Sequence, residues 1–322
     1  MKANGKTAYC TVLTPDFVPG FYVFLHSLLE SNPSFQFPLI VFYNPEYKDA
    51  LSKEFPFLEK IYNKLEFREV KTEKYNRLAL QRDTAYRTPG RLKEAFYIIE
   101  AFGVTGFDKI IAIDCDMIVL GSLDELLELE APFSACRAYD YSRNMALPYF
   151  NTGLMVINRS LLDGKFYSYL LETLQLEPRF RYAGKADQAI LNQVLGENAS
   201  YIETRFNTTK RKYSNVGSVE DFETILAQDG TVILHYVGQK PWKVKVQLDD
   251  LPYVAVEKFW WKKLFQYADA QTRFQFVNRF VESQFEADIP YVTRPSNPIK
   301  DFLRPFKHKV IHGCRKIKGI VQ

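Results

Sequence analysis

Cysteine is sparse in this 322-residue chain, and the little there is lies scattered. Cys10, Cys115, Cys136 and Cys314 form no CxxC pair, which excludes a disulfide framework as the basis of the fold. Long apolar runs are missing too, so no segment is suited to span a bilayer. Lys2 and Lys6 lead straight into a strand-like run, without the apolar core of a secretory signal. A reducing, cytoplasmic setting is therefore expected. No internal repeat and no low-complexity linker interrupts the chain. Positive charge is in short supply over most of the length. The net charge is +4, but residues 299–322 alone carry +6, which leaves −2 for residues 1–298. A body of that charge is not a nucleic-acid binder, and the basic character belongs to a C-terminal tail.

What is present is the balance of a soluble globular protein, 47% apolar and 25% charged, in a chain long enough to bury a large core. The 20 Tyr and 26 Phe supply aromatic core packing, or a cleft that stacks on a base or on sugar rings. Tyr9 to Leu13 reads as a buried strand, broken by Thr14-Pro15-Asp16. Phe21, Phe24, Leu25 and Leu28 share one face of a helix, and Pro38 to Tyr43 is a second buried strand. That order predicts an α/β fold with a doubly wound parallel sheet. Arg91 to Phe102 and Asp187 to Leu195 read as helices; Lys109 to Ile113, Leu154 to Ile157 and Val232 to Leu234 read as strands. Three prolines fall between Pro290 and Pro298. The expected organisation is a catalytic domain over 1–256, a helical extension over 257–298 and a tail over 299–322.

Four short elements carry chemistry. Asp114-Cys115-Asp116 directly follows the strand Lys109 to Ile113, and ligands in open α/β sheets sit at such carboxyl ends. Two carboxylates there can share a hard divalent cation that neutralises a diphosphate leaving group, although the same spacing also suits a solvated loop. Phe150-Asn151-Thr152-Gly153 offers an amide for a sugar hydroxyl and a glycine for close backbone approach; read alone, it is a turn before a strand. Asp187-Gln188 opens a helix, where Asp187 is either an N-cap or a group facing a sugar. His235 ends a strand and can complete a metal site; Lys240 can meet phosphate as a point charge, and Gly238 lets backbone amide approach.

In their order, DxD, FNTGL, DQxxLN and HxxGxxKPW, these elements resemble glycosyltransferase family 8 from about residue 7 to Trp242. The resemblance implies a GT-A fold: a nucleotide-sugar-binding, Rossmann-like mixed sheet with helices on both faces, here with a helical C-terminal extension. It implies Asp114, Asp116 and His235 as metal ligands, with Mn²⁺ the usual ion and Mg²⁺ the alternative, and a UDP-sugar as donor. Arg91, with Lys93 as fallback, resembles the family's basic position before the DxD. Leu13 to Phe17 resembles the uridine-binding loop, with Phe17 to stack on the base and Thr14 and Asp16 for polar contacts. Cys115, Asp140, Asn151, Gly153, Gly238 and Lys240 complete the donor-binding set, and Arg205-Phe206-Asn207 resembles a further motif near the site. The family retains anomeric configuration. Gln188 is placed as a nucleophile would be, but an amide is a poor one, so front-face attack with Asp187 stabilising the transition state is preferred.

The expected activity is transfer of glucose or galactose to a glycan or glycolipid acceptor. A DxDxT phosphatase is excluded because Met117 and Ile118 follow Asp116. Two alternatives remain: a self-glucosylating primer, with Tyr213 as acceptor, and a non-catalytic sugar-nucleotide binder. The tail places Ile299, Phe302, Leu303, Phe306, Val310 and Ile311 on one helical face among seven Lys and Arg, which suits an anionic membrane surface. Pro305 interrupts that helix, and packing on the catalytic body would also satisfy these residues.

Overall fold

The buried runs legible in the sequence form the centre of a sheet. Every residue of Leu39–Tyr43 (β2) and Lys109–Ile113 (β4) is buried, which is why these strands read as continuous apolar runs rather than alternating ones. In the computed structural model, which describes residues 6–75, 94–175, 186–243 and 252–286, they join Thr7–Val12 (β1) and Leu65–Glu69 (β3) as parallel neighbours. Phe133–Asp140 (β6), Met145–Asn158 (β7) and Ser200–Ile202 (β8) complete a seven-stranded sheet in the order β3-β2-β1-β4-β7-β6-β8. The sheet is mixed rather than wholly parallel, because β7 runs antiparallel to both β4 and β6. Met117–Val119 (β5), Thr208–Thr209 (β9) and Ile233–His235 (β10) form a second sheet, ordered β5-β10-β9.

Helices cover both faces of the larger sheet. Tyr9, Val41 and Ile111 pack with Phe21, Leu25 and Trp260, from the helices Val18–Ser31 and Val254–Tyr267. Ala8, Cys10, Ile40 and Ala112 face the other way, onto Tyr97, Leu170 and Ile190. The residues expected to start a helix at Arg91 lie partly outside the described residues; Glu94–Gly103 is a run of 3₁₀ turns, with Phe96 and Phe102 among its buried side chains. The helical extension expected from residue 257 starts at Val254 and continues as Ala270–Glu286. The chain divides into two compact units, Met1–Phe276 and Val277–Gln322. The tail over 299–322 and the prolines between 290 and 298 lie outside the described residues.

The strand order places the site. From β1 the chain moves outward to β2 and β3, then returns to lay β4 on the other side of β1. Ligands in α/β sheets bind at such a reversal, beyond the carboxyl ends of the strands. The two loops that meet there begin at Leu13 and Asp114, and the Cys115 thiol ties them by donating to the Val12 carbonyl at 3.2 Å.

A third loop, after β10, closes over the first. Trp242 lies against Gly20 in the helix Val18–Ser31, and a Cβ on Gly20 would stand 2.4 Å from the indole ring. The ring cannot retreat freely, because Trp260 is behind it at 4.8 Å between centroids. Gly20→Ala should therefore lower the thermal midpoint by about 2–6 °C through overpacking, although alanine is the better helix former. A thermal melt with an unchanged midpoint would show that the indole is not held there.

Candidate active site

β4 delivers Asp114, and β5 begins three residues beyond it. Between them the side chains alternate: Cys115 turns inward to β1, while Asp114 and Asp116 turn the same way. β5 pairs antiparallel with β10, with Met117 opposite His235, and the Tyr236 amide donates to the Asp116 carbonyl at 2.9 Å. This register sets His235 Nε2 at 3.3 Å from Asp116 Oδ1 and 3.5 Å from Asp114 Oδ2. Among the described residues this is the group whose ligand atoms all lie within 4.8 Å of one another as a metal site requires.

Two carboxylates this close cannot both ionise freely. Burial and the charge of Asp116 raise the carboxyl of Asp114. Burial would raise Asp116 as well, but Lys240 and His235 hold it well below the usual carboxylate range. Of the two, Asp114 is thus the weaker acid. The Lys240 ammonium pairs with Asp116 Oδ2 and donates to the Tyr236 carbonyl at 2.7 Å. The Cys115 thiol is pushed up by burial and by both acids, so its side chain is an inert packing group.

The orientation of His235 follows from a backbone donor two amides away. The Gly153 N–H can only donate, and it donates to Asn151 Oδ1 at 2.9 Å. Asn151 Oδ1 is thus an acceptor, so Asn207 reaches it through Nδ2, at 2.7 Å. That turns Asn207 Oδ1 toward His235 Nδ1, 2.8 Å away, and places the ring proton on Nδ1. Nε2 is the ring nitrogen left facing the two carboxylates, the position a metal ligand requires. The same chain makes Asn151 Nδ2 a donor to Gln188 Oε1 at 3.1 Å. Gly153 also leaves room for the imidazole, since a Cβ there would lie 2.6 Å from His235 Cε1.

Asn151 to Gly153 lie in a bulge inside β7, not in a turn before a strand. β6 advances from Ala135 to Arg137 while β7 runs from Met155 to Phe150, so the extra residues swing toward β4, where the Asp114 amide donates to the Gly153 carbonyl at 2.9 Å. Asn192 repairs the interrupted ladder: its side chain accepts from Phe150 N at 2.8 Å and donates to Phe150 O at 2.9 Å. This clips the helix Ala186–Leu195 to the bulge and brings Asp187 and Gln188 beside it. Ala186 adopts a φ of 52°, a left-handed conformation that is uncommon without glycine, at the entry to that helix. Burial pushes the Asp187 carboxyl up to about 7; the Thr152 hydroxyl pulls the other way, and Asp114 adds to the rise.

The loop after β1 is sewn to the loop after β10. The Thr14 hydroxyl donates to Asp16, Asp16 pairs with Lys243, and Trp242 Nε1 donates to the Asp16 carbonyl at 2.9 Å. Phe17 meets Trp242 edge-on at 5.8 Å, with Lys243 4.3 Å and Lys240 5.5 Å from its centroid. Lys240 thus links the aromatic ring to the acidic pair. Gly238 holds a φ of 77°, which lets the loop turn between His235 and Lys240.

Other expected residues lie elsewhere. Asp140 is committed to its own turn, where Oδ1 accepts from Ser142 N at 3.0 Å and Ser142 Oγ at 2.6 Å. Tyr213 is 2% exposed and its hydroxyl bonds Thr231 at 2.7 Å, so this tyrosine is no surface acceptor for self-glucosylation. Arg91 and Lys93 lie outside the described residues. Asn207, Asn192, Thr152 and Lys243 were not among the residues expected to form the site. Asn207 ends Arg205-Phe206-Asn207, Thr152 sits inside FNTGL and Asn192 ends DQxxLN, while Lys243 left no trace in the sequence.

The donor set fits a divalent cation of the hard or borderline class: two carboxylate oxygens and an imidazole nitrogen, with the tautomer fixed. Residues 9–245 match the family described as Glycosyl transferase family 8. Glycogenin of Neurospora crassa is 26% identical over 242 residues, which cover 74% of this chain and 32% of that protein. A lipopolysaccharide 1,2-glucosyltransferase of Escherichia coli is 29% identical over 155 residues, covering 42% of this chain and 44% of its own. The chain thus spans less than half the length of these curated relatives. Among solved structures, the galactosyltransferase LgtC, in complex with donor and acceptor sugar analogues, superposes with a TM-score of 0.60 at 17% identity, covering 83% of this chain and 99% of LgtC. That likeness bears on the fold, which is of the GT-A type. With the family's pattern running through every strand that builds the site, the chain belongs to glycosyltransferase family 8.

Proposed function

We propose that the chain is a retaining hexosyltransferase that moves glucose or galactose from a UDP-sugar to a glycan or glycolipid, such as a lipopolysaccharide or another surface polysaccharide. The observation that carries this reading is the convergence of Asp114, Asp116 and His235 Nε2 with the Lys240 ammonium, beside the Phe17 ring. A divalent cation, Mn²⁺ first and Mg²⁺ next, would neutralise the diphosphate and stabilise it as a leaving group. Asp114, Asp116 and His235 would hold it. Lys240 would exchange Asp116 for a phosphate oxygen, Gly238 would let backbone approach it, and Arg91 would add a second charge. Phe17 offers its face to uracil, with Thr14 and Asp16 at the ribose. The lipopolysaccharide 1,2-glucosyltransferase, named for glucosyl transfer, supports a hexose as the group moved.

Asp187 and Gln188 stand where the donor sugar would lie, beside Asn151. Gln188 Oε1 already accepts from Asn151, which supports front-face attack over a double displacement through that amide. The Asp187 carboxylate would stabilise positive charge developing on the sugar ring. A panel of UDP-sugars should show Mn²⁺-dependent hydrolysis, an α-linked product by NMR from an α-linked donor, and a loss of about 100-fold or more on Asp114→Ala or Asp116→Ala. Activity undiminished by EDTA would defeat the metal reading, and a β-linked product would defeat retention.

Asp187 gives a separate test through stability. Its folded pKa, about 7, lies above the value of an unfolded aspartate, about 3.9. Its contribution is therefore fully present below about pH 4 and is lost as pH rises through 7. Asp187→Asn keeps the shape without the titration. Denaturation series across pH should find the variant gaining on the wild type between pH 4 and 7, then holding a constant advantage. A pH-independent difference would mean that Asp187 is not buried as a free acid.

Among the described residues no helix is long and apolar enough to cross a membrane. We further propose that the basic tail over 299–322 holds the protein at an anionic membrane surface on the cytoplasmic side, near a glycolipid acceptor. Removing residues 299–322 should abolish sedimentation with anionic liposomes and leave donor hydrolysis intact. Full-length protein that ignores such liposomes at low salt would favour a soluble acceptor.

A further inference from the structure

We propose that the buried ion pair Lys210–Glu257 is a positioning device for the loop that carries Lys240, setting where that ammonium stands toward a bound diphosphate. The proposal rests on the reading of Lys240 as a phosphate contact. Lys210 directly follows β9, whose Thr209 lies opposite His235, and Glu257 comes from the helix Val254–Tyr267. Their side chains keep only 3% and 5% of their surface and meet at 3.3 Å. From this pair the Lys210 ammonium reaches out to one backbone atom of the catalytic loop, the Gln239 carbonyl, at 2.6 Å. The next residue is Lys240.

The rest of the loop is fixed at its ends. Tyr236 is anchored by its amide to Asp116 and by its buried hydroxyl to the Val256 carbonyl at 2.8 Å. At the far end Trp261 Nε1 donates to the Pro241 carbonyl at 3.2 Å, and Trp242 packs on Gly20. Between those anchors the chain passes through the left-handed turn at Gly238, where the backbone has most freedom. The Lys210 contact falls just after that turn, so it removes the freedom that would otherwise displace Lys240.

Stability does not explain the pair. Two charges taken out of water cost several kcal/mol each, and apolar residues of the same shape are commonly as stable or more so. What an apolar pair cannot supply is a directed, charge-assisted hydrogen bond to a chosen carbonyl. Lys210 is thus a positioning residue and Lys240 the group that touches phosphate. The short segment from Asn207 to Lys210 serves both halves of the site, since Asn207 orients His235 and Lys210 places the loop that follows it.

The test uses the full chain, Mn²⁺ and inorganic pyrophosphate, a probe that needs neither base nor sugar. The double variant Lys210→Met/Glu257→Met should melt close to the wild type and bind Mn²⁺ alone as tightly. Its affinity for pyrophosphate with Mn²⁺ should fall about tenfold, the scale of a hydrogen bond to a charged group. Lys240→Ala should cost the same factor in the wild type and no further factor in the double variant. Full pyrophosphate affinity in the double variant, or losses that simply add, would overturn the proposal. Should the double variant fail to fold, Glu257→Gln keeps the shape and should show the same coupling to Lys240→Ala with a smaller loss. Wild-type protein that binds pyrophosphate but not UDP would defeat the uridine donor and leave the positioning role standing; protein that binds neither would defeat both.

Discussion

Two carboxylates at the end of a fully buried strand impose a charge that the surrounding chain must balance, and most of the site can be read as that balance. Asp116 is buried, so its charge is tolerable only with cations at contact. Lys240 supplies one directly. His235 turns its Nε2 to both acids. Both come from one stretch around β10, and that stretch reaches Asp116 only because β10 pairs with β5. The second sheet is small, but without its register the acids at the end of β4 would have no partners.

Direction matters as much as charge. Hydrogen bonds between amides can run either way, and a network of asparagines would be ambiguous by itself. Here a backbone N–H at Gly153 removes the ambiguity, and the choice propagates through Asn151 and Asn207 to the histidine ring. The bulge in β7 makes this work, since it turns that N–H away from a ladder partner and toward a side chain. A preorganised site of this kind needs little reorganisation when charge develops in a reaction.

The sequence revealed the parts whose signal is local. β1, β2 and β4 are uninterrupted apolar runs, and the acids at the end of β4 stood out against them. The helix Val18–Ser31 was legible from the spacing of its buried residues. β7 was only half visible, because the bulge breaks its periodicity at Asn151 to Gly153 and its first half, from Met145 to Tyr149, is apolar yet largely exposed and holds a proline. The antiparallel placement of β7 could not be read from strand and helix order alone, which suggested a parallel sheet. Asn207 and Asn192 act through partners dozens of residues away, and a lone asparagine carries no mark of that. Asp140 is matched by resemblance, and in the structure its Oδ1 serves the turn it sits in.

The distance along the chain between the acids and their cations has a temporal side. Asp114 and Asp116 leave the ribosome well before His235 and Lys240, and at ordinary rates of synthesis that interval is roughly 6–25 s. For that time β4 has its acids but neither the Lys240 ammonium nor the His235 ring that face them in the finished fold. Solvent, protonation of Asp114 or a captured ion must serve instead, and the end of β4 must stay open until β10 arrives. The seam at Gly20 and Trp242 closes later still, so the loops after β1 and β10 are joined only once synthesis has passed Lys243. A half-built chain therefore carries the acids of this site without the loop that closes it.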